Sequence, residues 1–348
     1  MHFALKDFSK GFKLMHAYQI PLEEAENIYY GMPDSCQLPT LHPLYVAADA
    51  SRDDRLQPIF WYSHENNGKF LYSFHLCETK LEKNLIIRDI ESPYGYGSPL
   101  TNTRDSSFLE GVRREFQNWA QANKILAHFA RIHPLANHPT HFYEKVDFNR
   151  STVFINLKGH LFDDYSGRRR TYIRRESEKI HELVKVEDAN NFSAFIKLYE
   201  ETMRRASARD FYFFKEKYYE NLYKLSFVEC WLLHDEHSIV AGALILVSHA
   251  SKIIEYHLGA HTIRSKSRPM IYLLHLLARH YQKEGFEIFY LGGGRSTSKD
   301  DSLLLFKRGF SSNLIPFNIG FSIYNHDHYE SLKSLRPGQD TTILFYRD

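Results

Sequence analysis

Cysteine, net charge and long hydrophobic runs are all scarce in this sequence of 348 residues. Cys36, Cys77 and Cys230 are odd in number and far apart, which argues against a disulfide framework and offers no zinc-binding spacing. A net charge of +2 is too small to predict nucleic-acid binding from the overall field. No stretch approaches the roughly 20 apolar residues of a membrane span, and residues 1–12 lack the apolar core of a signal peptide. We therefore expect a cytoplasmic protein with reduced thiols and no transmembrane segment.

Histidine, in contrast, is abundant, and its 20 copies raise the question of a metal site. The best candidates are His133, His138 and His141. No HExxH pattern or group of carboxylates accompanies them, and Pro134 and Pro139 indicate a loop. We expect no metal ion and no tightly bound cofactor.

The sequence has enough apolar residues for two hydrophobic cores, with 43% hydrophobic and 15% aromatic residues. Its length exceeds the roughly 250 to 300 residues at which single cores usually stop growing. A strand-like segment ends near 156–162, and a charged, helix-prone segment follows it. We predict an N-terminal domain at 1–160 and a C-terminal domain at 161–348, whose last residues could return to the first domain.

Each half contains the strand-helix-strand pattern of a parallel crossover. In the second half, 253–258 is predicted as a buried strand, 269–284 as a helix with one apolar face, and 286–291 as the next strand. The first half repeats this order within 85–132. The repeat predicts a duplicated α/β fold with mixed sheets, rather than one large sheet.

A glycine-rich loop lies beside each crossover: SPYGYGSPL at 92–100 and LGGG at 291–294. Glycines just beyond a strand let a ligand approach the backbone with no side chain in the way. The second loop gives the ligand-binding candidates Gly292, Gly293 and Gly294. A flexible connection that needs a positive φ is the alternative.

The first-half loop could present phenolic hydroxyls and backbone N–H groups to an acceptor molecule. Its candidates are Tyr94, Gly95, Tyr96 and Gly97. Tyrosine and proline also form ordinary structural turns, so that interpretation stays open.

Five arginines lie within the segment 168–175. Arg170 and Arg174 are four residues apart and share one face of a predicted helix. They could bind the phosphates of tRNA or of a nucleotide sugar. Alternatively, they form a solvated face that pairs with Glu176 and Glu178.

Several motifs, in their order along the chain, resemble one known family. They are SPYGYGSPL, Arg131 with His133-Pro134-Leu135, the arginine-rich segment, ETMRRASARDFYFF, EYHLGA, LGGG and FKRGF. Together they are similar to the Fem-type peptidoglycan aminoacyltransferases and their broader relatives, which carry two GNAT-like acyltransferase domains in tandem. The resemblance extends over about 39–323.

The resemblance implies an acyltransferase that forms an amide by direct attack of an amine on an activated ester or thioester. The donor would lie where the strands at 253–258 and 286–291 part. The acceptor would be an amine-bearing envelope precursor or a small molecule in cell-wall or polysaccharide biosynthesis. The alternative is a catalytically inactive protein that binds an envelope precursor or RNA. The sequence does not determine the oligomeric state.

Lys307 is the catalytic residue that the resemblance implies, because Fem-type enzymes match this chain at Phe306-Lys307. Its ammonium would stabilise the tetrahedral intermediate or the donor's phosphate and ribose, with Phe306 beside the substrate. From position alone, a basic residue before Gly309 is more typical of a helix end than of a catalytic site.

The general base is open. Glu255 and His257 alternate on a predicted strand and would share a face. His257 could accept the amine proton if its pKa is near neutral, although a core histidine with a structural hydrogen bond is the more common case. Tyr256, between them, is a further substrate-binding candidate.

The donor is open as well. Acetyl-CoA-dependent GNAT domains bind pyrophosphate at a glycine-containing loop, and 264–269 contains no glycine. The inserted helical hairpin that some Fem enzymes carry for tRNA is not expected, because 191–225 is too short for it. Aminoacyl-tRNA, acyl-CoA and an acyl-carrier thioester all remain candidate co-substrates.

Overall fold

A computed structural model describes residues 15–81, 85–136, 141–236, 238–263, 268–335 and 342–347. The strands within these ranges are β1 (His16–Gln19), β2 (Leu56–Glu65), β3 (Gly68–Lys80), β4 (Ile86–Glu91), β5 (Leu100–Thr101), β6 (Ile125–Ile132), β7 (Lys145–Asn156), β8 (Glu182–Lys185), β9 (Val228–His234), β10 (Ile239–Ser248), β11 (Ile253–His261), β12 (Ile288–Gly293) and β13 (Leu314–Ile323). The helices are α1 (Leu22–Tyr30), α2 (Pro43–Asp49), α3 (Ser106–Ala122), α4 (Leu161–Asp164), α5 (Gly167–Glu176), α6 (Ala189–Arg205), α7 (Glu216–Tyr223), α8 (Pro269–Lys283), α9 (Ser302–Arg308) and α10 (His326–Ser334). We call the chain up to residue 160 the first half and the rest the second half.

All the strands in the described ranges join in one sheet, in the order β1-β2-β3-β4-β6-β13-β7-β12-β11-β10-β9-β8, with β5 paired to β3. Two neighbouring pairs, β4 with β6 and β11 with β12, run parallel. A helix joins each parallel pair, α3 in the first half and α8 in the second, as a crossover requires. This repeat confirms the predicted duplicated α/β fold.

The expectation that the duplication would not form one large sheet is wrong, because the two halves exchange strands. The last strand of the first half, β7, pairs with β12 of the second half. The last strand of the second half, β13, pairs with β6 of the first half and with β7. Strand β6 corresponds to β12 in the other half, and β7 corresponds to β13. When each strand is replaced by its counterpart, the central order β6-β13-β7-β12 stays the same when read from the other end. The exchange covers the inner edge of each half and merges two sheets into one.

The crossover helices begin and end where local sequence signals place them. The Asp105 carboxylate accepts hydrogen bonds from the Ser107 and Phe108 amides, at 2.8 and 3.0 Å, and so caps α3. Pro269 occupies the first turn of α8, where its missing N–H costs nothing. Both helices bury an apolar face against the sheet, as their periodicity predicts.

Among the described residues, one buried apolar cluster belongs mainly to the first half, one mainly to the second half, and a third lies between the halves. In the shared core, Tyr29 and Tyr45 of the first half pack with Phe195, Tyr218 and Leu244 of the second half. Burial of large side chains from both sides stabilises the contact between the halves. Loops at the ends of the crossover strands are thereby held against each other.

Candidate active site

Strands β11 and β12 part soon after they pair. Their parallel pairing joins Ile253–Glu255 to Ile288–Tyr290. Beyond these residues, β11 continues along β10 to His261, and β12 continues along β7 to Gly293. Ligands of open α/β sheets bind at the carboxyl ends of parallel strands, and this opening is such a place.

Gly292 lies where side chains from both halves converge. Its φ of +75° is a conformation that residues with a Cβ rarely adopt. A Cβ atom at this position would lie 3.1 Å from the Tyr96 hydroxyl and 3.4 Å from the Lys307 amine. The glycine therefore keeps the space between these two polar groups free.

Lys307 extends from α9 into this opening. Asp301 caps the helix by accepting hydrogen bonds from the Leu303 and Leu304 amides, both at 3.0 Å. The Lys307 amine donates a 2.7 Å hydrogen bond to the Gly293 carbonyl, and it lies 5.8 Å from the ring centre of Tyr256. The residue is 7% exposed. Burial lowers the pKa of Lys307 to about 7 against the opposing effect of Asp301, so ammonium and amine coexist near neutral pH.

Arg169 fixes the end of α9 that carries Lys307, and sequence reasoning missed it. Its guanidinium donates a 2.6 Å hydrogen bond to the Phe306 carbonyl and lies 4.8 and 4.4 Å from the rings of Phe306 and Phe310. Gly309 leaves the room that this guanidinium occupies. Burial lowers the pKa of Arg169 to about 10. The run of arginines drew attention to this segment of the sequence, but it did not distinguish the buried Arg169 from the more exposed arginines around it.

The first half contributes the loop at 92–97. The Tyr94 amide donates to Asp49 at 2.9 Å, and the Tyr94 carbonyl accepts from the Tyr45 hydroxyl at 2.7 Å. After Gly95, at φ of +86°, the Gly97 amide donates to the Arg131 carbonyl at 2.7 Å. These bonds hold the loop beside strand β6.

Tyr96 lies at the centre of an aromatic cluster built from both halves. Its ring centre lies 5.3 Å from those of His133 and Tyr290, and 5.2 Å from that of Phe317. Burial raises the pKa of Tyr96, which keeps its hydroxyl protonated and able to donate a hydrogen bond. The tyrosine therefore faces the same opening as Lys307, from the opposite half.

Glu255 and His133 form a buried pair across the two halves. The His133 Nδ1 accepts a 3.1 Å hydrogen bond from the Leu135 amide, so Nε2 carries the proton and donates to the Glu255 carboxylate at 3.0 Å. Glu255 is 3% exposed. Sequence reasoning treated His133 as a metal candidate and missed this contact. The sequence feature that could have indicated this contact is the position of His133, which directly follows β6 at the end of the first crossover.

His257 has a different environment. It shares a 2.9 Å hydrogen bond with the Tyr218 hydroxyl through Nε2, and its ring lies 5.6 and 5.4 Å from those of Tyr45 and Tyr94. Burial lowers the pKa of His257 to about 4, so the imidazole is uncharged at neutral pH. The pairing of β10 with β11 shifts register opposite His257, which marks a β-bulge there.

Arg170 and Arg174 are brought together around Phe162 rather than around Lys307. The Arg170 guanidinium donates a 3.0 Å hydrogen bond to the Phe162 carbonyl, and Arg174 lies 5.7 Å from the ring centre of Phe162. Part of the predicted loop at 264–269 lies outside the described residues, as does the metal candidate His138. Within the described ranges, no group of three metal-binding side chains occurs.

The duplicated sheet and the parted strands can be compared with known domains. A family model described as an acetyltransferase (GNAT) domain matches residues 167–300. This part of the second half is therefore similar to a GNAT acetyltransferase domain. No helix in the described part of the chain combines the length and apolarity needed to cross a membrane.

Solved structures extend the likeness in fold to most of the chain. The fold is similar to that of FemX, with a TM-score of 0.68 and 13% identity over 92% of this chain and 99% of that one. It is also similar to L-PGS from Bacillus licheniformis, with a TM-score of 0.59 and 16% identity over 91% and 97% of the two chains. The C-terminal domain of a protein named as a lysylphosphatidylglycerol synthetase from Agrobacterium fabrum gives a TM-score of 0.58 and 15% identity over 90% and 94%. No curated protein matches the sequence at a significant level. The chain thus has a Fem-like fold of the GNAT type.

Proposed function

We propose that this protein forms an amide by transferring an aminoacyl or acyl group from an activated donor to an amine, at the opening between its halves. The convergence of Lys307 and Tyr96 on Gly292 is the observation that supports the proposal most directly. The donor is an aminoacyl-tRNA or an acyl thioester. The acceptor is an amine-bearing envelope or polysaccharide precursor in the cytoplasm. The name of the lysylphosphatidylglycerol synthetase favours the aminoacyl donor.

Lys307 is the proposed electrostatic catalyst. When the acceptor nitrogen attacks the donor carbonyl, the carbonyl oxygen becomes an oxyanion. The Lys307 ammonium, fixed by its bond to Gly293, would stabilise that charge in a site from which water is largely excluded. The Tyr96 hydroxyl is a second donor within the same opening. The oxyanion then collapses, the bond from carbon to the donor oxygen or sulfur breaks, and the amide remains.

Glu255 is the proposed acceptor for the proton that the attacking amine loses. His133 donates to one carboxylate oxygen and so orients the group. The leaving oxygen or sulfur takes up one proton, which balances the reaction. His257 is the weaker candidate base, because its Nε2 is engaged with Tyr218 and burial lowers its pKa.

The remaining candidates are assigned to binding. Tyr94, Gly95 and Gly97 would shape the acceptor side through the loop at 92–97. Tyr256 and the carbonyls of Gly293 and Gly294 border the donor side, where Arg150 already donates to the Gly294 carbonyl at 2.8 Å. Phe306 supports Lys307 through its backbone bond to Arg169. Arg170 and Arg174 would meet donor phosphates at the periphery.

The function is tested by supplying labelled aminoacyl-tRNAs or acyl-CoAs together with amine acceptors. Mass spectrometry of ligands that remain bound through purification selects the first acceptors to try. Lys307→Ala is expected to lower transfer by roughly 100- to 1,000-fold in a folded protein. Lys299→Ala, which changes an exposed lysine, is the control. Bound ligand without transfer from any donor would instead identify a catalytically inactive binding protein.

A further inference from the structure

A buried network of charged side chains connects the C-terminal end of the chain to the loop at 92–97. We infer that Arg347 is a positioning residue for that loop and acts through Glu91, Arg52 and Asp49. Its effect on turnover rests on the proposed function, whereas its effect on the loop does not.

The network begins at Arg347, which bridges two carboxylates of strand β4. Its Nε donates to Asp89 at 3.2 Å and its Nη1 donates to Glu91 at 2.5 Å, while Nη2 also binds Asp89. The aromatic side chains of Phe345 and Tyr346 pack against Tyr329 beside β4 and β6 and anchor this segment. The arginine is thus held in a bidentate arrangement that a lysine does not reproduce.

The second part of the network passes from Glu91 to the loop. The other oxygen of Glu91 binds Arg52, and the Nε of Arg52 donates to Asp49 at 3.1 Å. The same Asp49 oxygen accepts the Tyr94 amide at 2.9 Å. Each contact in this path is a direct hydrogen bond, and the last one ends on the backbone of the candidate site.

The charges of the network are balanced. Asp49, Asp89 and Glu91 supply three carboxylates, and Arg52, Arg131 and Arg347 supply three guanidiniums in the same buried region. Burial alone would raise the pKa of Glu91, but Arg52 and Arg347 hold it well below its usual range. The ionised form of Glu91 is therefore stabilised by both arginines.

Arg52 is the shared member, since it binds both Glu91 and Asp49. Without Arg347, part of the negative charge on Asp89 and Glu91 would be uncompensated at a buried site. An unpaired buried charge is strongly destabilising. Arg52 and Arg131 are the neighbouring cations able to respond. Movement of Arg52 toward β4 would weaken its bond to Asp49 and release the carboxylate that holds Tyr94.

Hydrogen–deuterium exchange measured by mass spectrometry tests the path directly. Arg347→Gln is expected to speed exchange of the peptide containing 92–97 by about tenfold, as loss of one hydrogen bond of typical strength would do. Peptides from α8, which packs in the core of the second half, are expected to exchange at the wild-type rate. Arg88→Gln is the control, because Arg88 is a half-exposed arginine of the same strand that binds Glu78.

A second variant separates charge from packing. Arg347→Gln combined with Asp89→Asn restores the balance, with two carboxylates facing two guanidiniums. This double variant is expected to return exchange at 92–97 toward the wild-type rate. If Arg347→Gln does not fold, Arg347→Lys replaces it, with a smaller but still selective increase expected.

Three results would overturn the inference. They are unchanged exchange at 92–97 in a folded single variant, an equal increase throughout the protein, and no recovery in the double variant. Once a substrate pair is known, the single variant is also expected to raise the acceptor KM more than it lowers kcat. The exchange data decide the positioning role even if no transfer reaction is found.

Discussion

His133 donates a 3.0 Å hydrogen bond to Glu255 across the boundary between the two halves of the chain. One partner follows the first crossover, and the other ends the paired segment of β11. The pair therefore links the two halves and orients a carboxylate near Tyr96.

Glu255→Gln is expected to lower kcat by roughly 100-fold or more, because the amide cannot accept the amine proton. His133→Gln is expected to give a smaller loss, since in the proposed mechanism the histidine only orients Glu255. The two losses should be strongly non-additive in the double variant, as residues of one unit are. Glu78→Gln, at an exposed carboxylate of β3, is the control; additive losses would contradict the assignment.

Lys307→Ala is expected to lower kcat by roughly 100- to 1,000-fold, the usual cost of losing one oxyanion donor. In the proposed mechanism the ammonium is the active form, and burial lowers the pKa of Lys307 to about 7. The rate of the chemical step should therefore fall as pH rises through 7. A pH profile of kcat checks this, and a rate that does not fall as pH rises above 7 would contradict it.

Lys307→Met is expected to raise the free energy of unfolding. Burial lowers the pKa of Lys307 from 10.5 to about 7, so the unfolded chain binds more protons between these values. The cost of burying the amine is complete below pH 7 and disappears as pH rises toward 10.5. Thermal unfolding at pH 6 and pH 10 should thus show a larger gain at the lower pH. Equal gains would indicate better packing alone.

Gly292→Ala is expected to lose activity and about 1 to 3 kcal/mol of stability, because the new side chain adopts an unfavourable φ and enters the space beside Tyr96 and Lys307. Gly159→Ala is the matched control, since nothing lies within 4 Å of a Cβ there. Chemical denaturation and the transfer assay measure the two effects. A stable, fully active Gly292→Ala variant would show that this space is not used.

Arg169→Ala is expected to destabilise the protein by about 2 to 3 kcal/mol, through loss of a charged hydrogen bond and of two ring contacts. Activity should fall as well, because α9 then holds Lys307 less firmly. Arg168→Ala changes its exposed neighbour and should have little effect on either quantity. Equal effects of the two changes would argue against this role for Arg169.

Local signals in the sequence were enough to predict both crossovers. Pro269, the apolar periodicity of α3 and α8, and the glycines after β12 all act within a few residues of their own position. The close approach of Tyr96 to Gly292 depends on the packing of the two halves, which periodicity does not report.

The exchange of β7 and β13 was not predictable in the same way. The strand-like segment before residue 156 looks like the end of a domain, and its pairing with β12 joins residues far apart in sequence. His133 and Glu255 were separated in the sequence for the same reason. Arg169 differs from Arg168 by burial alone, which only the packed structure reveals.

The exchange of β7 and β13 makes each half of the chain depend on a strand from the other half. A break in the chain between β7 and α4 would leave each fragment without a strand that its own crossover needs, since that strand belongs to the other fragment. Neither fragment is expected to stay folded and monomeric alone, because each would expose the unpaired N–H and C=O groups of a strand edge. Produced together, the fragments should reassemble by complementation.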